Sequence, residues 1–240
     1  MTTAPRSSSP PASDLLPPLS PELAGALAAM RPVSPRVPLR AVLVVTLGSA
    51  AWAWAVLQLL PVRADLPWLP RLPWLLVGGL WLLGYAVALG AALLPRRAQV
   101  LPDPARALRV ALLLCSSAAL LLVALPLGAP GHTHIPASAA EEWTRGVLCF
   151  AIAVAVAAVP CLLGLLALRR LAPTGARSLG AAVGGAAGSL GGLGLHIICD
   201  VGGRCHLAFA HGGAVVACSL VGALIGGLAF GGGRESGPTH

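Results

Sequence analysis

Lysine is absent from this chain, and all sixteen basic residues are arginines. A phosphate-cradling glycine loop that ends in lysine is thereby excluded. Charged residues of either sign make up 10% of the chain and aromatic residues 4%. No carboxylate pair and no nucleophile elbow interrupts the apolar segments, so we expect no enzyme. The formal net charge of +8 comes without a basic patch interleaved with aromatic residues, and direct contact with nucleic acid is not expected. An apolar core near the start is also lacking. The first apolar run begins only at about Ala41, so the opening residues do not read as a signal sequence and the first span should remain in the mature protein.

Apolar residues dominate instead, at 57% of the chain with a mean hydropathy of +0.84. Those values belong to a multi-span membrane protein. Six apolar segments lie at roughly 41–61, 74–95, 108–127, 146–168, 179–198 and 208–230. Each is close to the ~20 residues a helix needs to cross the hydrocarbon layer. The expected fold is an all-α integral membrane protein, six transmembrane helices in a bundle over 41–230, with a short cytoplasmic N-terminal amphipathic helix and a C-terminal tail over 231–240. No internal repeat suggests a transporter of inverted halves. Eleven arginines flank span ends on the side of the N-terminus, against Arg63, Arg71, Arg145 and Arg204 on the other. Positive residues favour the cytoplasmic face, so both termini should be cytoplasmic. Trp68, Trp74 and Trp143 fall near the other boundary, where amphipathic rings prefer to sit.

The tail over residues 1–40 begins with a Ser- and Pro-rich stretch that cannot bury enough apolar surface to offset its ordering entropy. At Ser20 the character changes. Ser20 suits an N-cap, Pro21 the first helical position and Glu22 the positive helix end, and Pro32 stops the run. Leu23, Leu27 and Met30 fall on one face of a helix near 21–30. Such a short helix is unstable alone in water and would fold on a partner.

The stretch Ser178–Phe230 carries the remaining signal. Gly180, Gly184, Gly188 and Gly192 recur every fourth residue in an apolar run, which clears one helix face for backbone-to-backbone packing. Next come His196, Cys199, Cys205, His206 and His211, gathered at the turn between the last two spans. His196 and Cys199 are one turn apart and would share a face of a continuous helix. This His/Cys turn is the candidate sensor, with ligand types suited to a metal ion. Cys199 and Cys205 either close a small disulfide loop or remain two thiols. The remaining cysteines, Cys115, Cys149, Cys161 and Cys218, read as small hydrophobes within the spans. His132-x-His134 and Glu141-Glu142 read as a solvated polar loop.

Taken together, Leu19-Ser20-Pro21-Glu22-Leu23 before Pro32, six spans, and a glycine-rich fifth span ending in Leu195-His196 with Cys199 soon after resemble the NrsF-type membrane anti-sigma factors of proteobacteria. The resemblance implies a location in the bacterial inner membrane. It also implies that the tail, with Leu19, Glu22, Leu23, Leu27 and Met30, binds an extracytoplasmic-function sigma factor and releases it on an envelope, metal or redox signal. The competing expectation is a small integral membrane carrier or metal-handling protein with its site at His196, Cys199, His206 and His211. A carrier should show polar groups in the middle of several spans. Here they concentrate at one turn.

Overall fold

The computed structural model describes residues 20–22, 25, 38–95, 101–125, 129, 131–171 and 175–230. The chain divides into two units, Met1–Pro35 and Arg36–His240. In the first, Pro21, Glu22 and Gly25 are helical and exposed, while Leu19, Leu23, Leu27 and Met30 lie outside the described residues.

Among its described residues the second unit is helical, with six helices long and apolar enough to cross a membrane. They are α1 (Pro38–Gln58), α2 (Arg71–Leu93), α3 (Pro104–Ala124), α4 (Ala139–Arg169), α5 (Ala176–Ile198) and α6 (Arg204–Phe230). A single 3₁₀ turn, Leu66–Trp68, lies between α1 and α2. The last helix is α-helical over Arg204–Leu207, π-helical over Ala208–Gly212, and α-helical again over Gly213–Phe230.

Polar capping residues set two helix starts ahead of the apolar runs. Asp103 accepts hydrogen bonds from the amides of Ala105 and Arg106, with Pro104 in the first helical position. Ser138 accepts one from Glu141, so α4 begins at Ala139. Glu141 and Glu142 therefore lie in the first turn of α4 and not in a loop. There the positive end of the helix favours them. Pro160 sits inside α4 without ending it. Before α5, Gly175 adopts φ of 70°. A Cβ there would also lie 2.6 Å from Pro104 Cγ, so the position is doubly suited to glycine.

α5 is the axis of the bundle. Buried positions make up 78% of its apolar window, against 17% in α1. It packs on α6, α4, α2 and α3, while α1 lies on the outside against α4 and leaves Leu43, Leu47 and Trp54 exposed as a lipid-facing side.

The glycine row explains the closeness of α5 to α6. A Cβ at Gly180 would run into the carbonyl oxygen of Gly222, one at Gly184 into that of Cys218, and one at Gly188 would lie 2.6 Å from Val215 Cα. From the other side, a Cβ at Gly222 or Gly226 would meet the carbonyl oxygens of Gly180 and Ala176. Gly192 has a different neighbour. Its Cβ would stand 3.0 Å from the buried indole ring of Trp81 on α2. A four-residue step overshoots one helical turn by about 40°, so after three steps the row has wound about 120° around the helix.

Candidate functional site

The turns after α1, α3 and α5 gather at one end of the bundle, and the chemistry collects there. α5 stops at Ile198. Cys199 follows in extended conformation, with φ of −87° and ψ of 120°, its amide still bonded to the Leu195 carbonyl. His196 and Cys199 are thus not on one continuous helix. Glycines at 202 and 203 turn the chain, and α6 starts at Arg204. Its first turn directs His206 inward, 1% exposed, and leaves Cys205 exposed.

Cys199 meets His206 and a cysteine from a different helix. The Cys199 sulfur lies 3.1 Å from His206 Nε2 and 3.7 Å from the sulfur of Cys149 on α4. One ligand atom from each of Cys149, Cys199 and His206 lies within 4.8 Å of the others. All three cysteines, Cys149, Cys199 and Cys205, are free thiols. Cys149 thus takes the place at Cys199 that the turn alone suggests for Cys205. Its place is set by the early start of α4, which brings Cys149 to the height of the α5 terminus. Glu142, also made helical by that early start, accepts the backbone N–H of His206 at 3.1 Å. It stands in for the side chain that the Gly203 N-cap lacks, satisfying a donor at the α6 terminus.

His196 and His211 stand beside this cluster and not within it. The His196 ring stacks on Trp74, and Nε2 donates to the Trp74 carbonyl at 2.9 Å. That bond assigns the proton to Nε2 and leaves a bare lone pair on Nδ1, which has no partner among the described residues. His211 sits in the π-helical turn near Cys199, 2% exposed, and neither ring nitrogen has a well-formed hydrogen bond among the described residues. Such turns are frequent at functional sites. Both imidazoles, Cys199, Arg63 and Thr133 line a cavity of about 390 Å³.

A polar clasp holds the three turns together around this cavity. Arg63 makes a two-pronged ion pair with Asp65, at 2.6 and 2.8 Å, and Thr133 donates to the same carboxylate at 2.6 Å. The Arg63 amide bonds the Ile197 carbonyl at the end of α5. His134 then pairs its backbone with Asp200 and Gly202 on either side of Val201. Burial alone would raise the Asp65 carboxyl, but the hydrogen bonds from Arg63 and Thr133 and the arginine charge outweigh it and hold the group below its ordinary range. The two loop histidines diverge: His132 stacks on Trp68 with ring centroids 4.4 Å apart, and His134 Nε2 lies 2.9 Å from Glu141.

Two thiols and an imidazole are a soft donor set that suits a thiophilic divalent ion and leaves a fourth position open. The same two sulfurs are close enough to be joined by an oxidant. Cys149, Arg63, Asp65 and Thr133 are the residues that pattern reading missed. For Cys149 a depth count could have found it, since it lies a few residues inside its span, as His196 does from the opposite direction. For the clasp, the opposite charges of Arg63-x-Asp65 in a turn between apolar spans were the available signal.

No curated protein and no solved structure matches the chain. Residues 18–230, covering all six helices, match the family NrsF, negative regulator of sigma F, and the chain belongs to that family.

Proposed function

We propose that this protein is a membrane-bound anti-sigma factor that holds an extracytoplasmic-function sigma factor at the bacterial inner membrane and releases it when a metal ion or oxidant engages Cys149, Cys199 and His206. Membership of a family of negative sigma regulators supports the first half. The observation that carries the second is the convergence of those three side chains from α4, the α5 terminus and α6 within 4.8 Å.

The sigma factor is held by the N-terminal tail through Leu19, Glu22, Leu23, Leu27 and Met30. A marginal helix that folds into a partner groove gives affinity that a small change can reverse. The arginine asymmetry supports cytoplasmic termini, which sets the thiol cluster at the periplasmic end. A bound metal takes both thiols as thiolates and releases their protons. An oxidant takes two electrons, the thiols lose two protons, and one S–S bond forms. Either event draws α4 toward the α5 terminus. α5 and α6, joined along their glycine seam, carry that displacement as one body to the cytoplasmic end.

Membranes that contain the full-length protein and its sigma factor test this reading. Zn²⁺ or diamide should shift the sigma factor to the soluble fraction, and Cys149→Ser with Cys199→Ser should leave it bound. Unaltered release from the double variant would sink the sensor. Leu23→Asp with Leu27→Asp should free the sigma factor without any signal, and retained binding would sink the tail.

A further inference from the structure

A second cavity lies at the other end of the bundle, where α1 begins and α4 ends. It is a groove of about 430 Å³ with Arg40 and Arg170 at its mouth and Val45, Leu163, Leu166 and Ala167 among its apolar lining. Arg40 is in the first turn of α1, and Arg170 is the C-cap of α4. Both arginines are exposed, and neither is ion-paired among the described residues. Val45 is 2% exposed and forms a closed floor, whereas Leu166 at 48% faces outward. Toward the middle of the helices the groove ends where Gly48 lets α1 and α4 converge. A Cβ on Gly48 would lie 2.9 Å from Leu163 Cδ1.

We propose that this groove binds one anionic phospholipid, with its phosphate on Arg40 and Arg170 and an acyl chain along Val45 and Leu163. Two guanidinium groups at the end of a membrane span, without a carboxylate partner among the described residues, match a phosphate in charge and in hydrogen-bonding geometry. The apolar lining runs from that mouth along the span, as an acyl chain does below its headgroup. The groove also opens onto the exposed leucine and valine side of α1 and α4, Leu43, Val44, Leu47, Leu162 and Leu166, which faces hydrocarbon. An extended peptide segment laid there would leave backbone groups unpaired in lipid. A zwitterionic headgroup would bring its own cation against the two arginines. An anionic headgroup such as phosphatidylglycerol carries no such cation.

The test uses the full-length protein in detergent, titrated with phosphatidylglycerol or phosphatidylcholine and followed by native mass spectrometry. One phosphatidylglycerol should be retained in preference to phosphatidylcholine. Arg40→Gln with Arg170→Gln should weaken it about tenfold or more. The charge-matched change Arg106→Gln with Arg109→Gln, on the first turns of α3 at the same end, should leave it in place. Equal retention of the two lipids, or equal loss in both double variants, would overturn the proposal. A photoreactive benzophenone residue at position 166, in membranes, supplies a second measurement. A lipid adduct supports the site, whereas a crosslink to the chain's own first 37 residues or to a second copy assigns the groove to that occupant and overturns it. Neither measurement involves a sigma factor or the thiol cluster.

Discussion

The α5–α6 pair is made of two halves with opposite mechanical characters. From Gly180 to Gly188 the two helices meet backbone to backbone, with carbonyl oxygens standing where a Cβ would be. No side chain there can repack. From His196 onward the same two helices part around a π-helical turn, a cavity of about 390 Å³ and imidazole nitrogens with no hydrogen-bond partner among the described residues. One half can move only as a body, and the other has room, ligands and unspent hydrogen-bonding capacity. Packed interfaces of the first kind transmit a shift instead of absorbing it. The contrast suits the role proposed above, in which a signal is received at one end and reported at the other.

The contrast breaks most completely at Gly184. A valine there would drive its Cβ into the Cys218 carbonyl oxygen, and a backbone atom cannot rotate away. Overpacking by a methylene or two typically costs about 1–3 kcal/mol when side chains can yield, and here they cannot. Gly184→Val should therefore fail to give a monodisperse bundle in detergent, by size exclusion and thermal unfolding. Gly79→Ala or Gly90→Ala, where the added carbon meets nothing beyond its own helix backbone within 4 Å among the described residues, should behave as the parent. An intact Gly184→Val protein would mean that the seam is looser than its geometry.

Next in size is the clasp. Asp65→Ala leaves Arg63, 9% exposed, as a buried charge without its partner. Removing one member of a buried pair costs about 3–5 kcal/mol, less where water can reach the survivor. The thermal midpoint should fall, and thiol labelling of Cys199 should quicken as the end of α5 loosens. The pH dependence follows from the lowered Asp65 pKa. Its stabilising contribution is present above the ordinary value of 3.8 and is lost as pH falls below that value through the folded pKa. Asp65→Asn should flatten that acid limb, and an acid limb identical in parent and variant would remove Asp65 from the explanation.

The same division decides how much was legible beforehand. Helical spacing and hydropathy are local, so six spans, the glycine row and the His/Cys turn could be read along the chain. Three-dimensional partners could not. Gly192 belongs to the row in sequence, yet the winding of that row brings it to Trp81. Cys149 is indistinguishable from any small hydrophobe until α4 is set beside the α5 terminus. Cys205 is next to His206 in sequence but about 100° away on the helix, which is enough to leave it outside. Glu141 and Glu142 looked like loop residues because charge interrupts an apolar run, although at a helix start charge is favoured.

The smallest expected effects on stability lie at the thiol cluster, where Cys149 on α4 and Cys205 at the start of α6 should separate cleanly. Cys149 lies 3.7 Å from Cys199, whereas Cys205 is exposed and outside the cluster. Serine at either position is nearly isosteric, and neither change should shift the thermal midpoint appreciably. Metal binding should distinguish them. Loss of a partner that merely orients a ligand typically weakens binding about 10- to 100-fold, and loss of a ligand should exceed that. Zn²⁺ titration of the full-length protein should therefore show a weakening beyond about a hundredfold for Cys149→Ser and none for Cys205→Ser. The opposite ranking would return the ligand role to the turn cysteine and show that the start of α6 rotates when metal binds. If both variants matched the parent, the cluster would not be the metal site, and an oxidant would remain as the signal that joins Cys149 to Cys199.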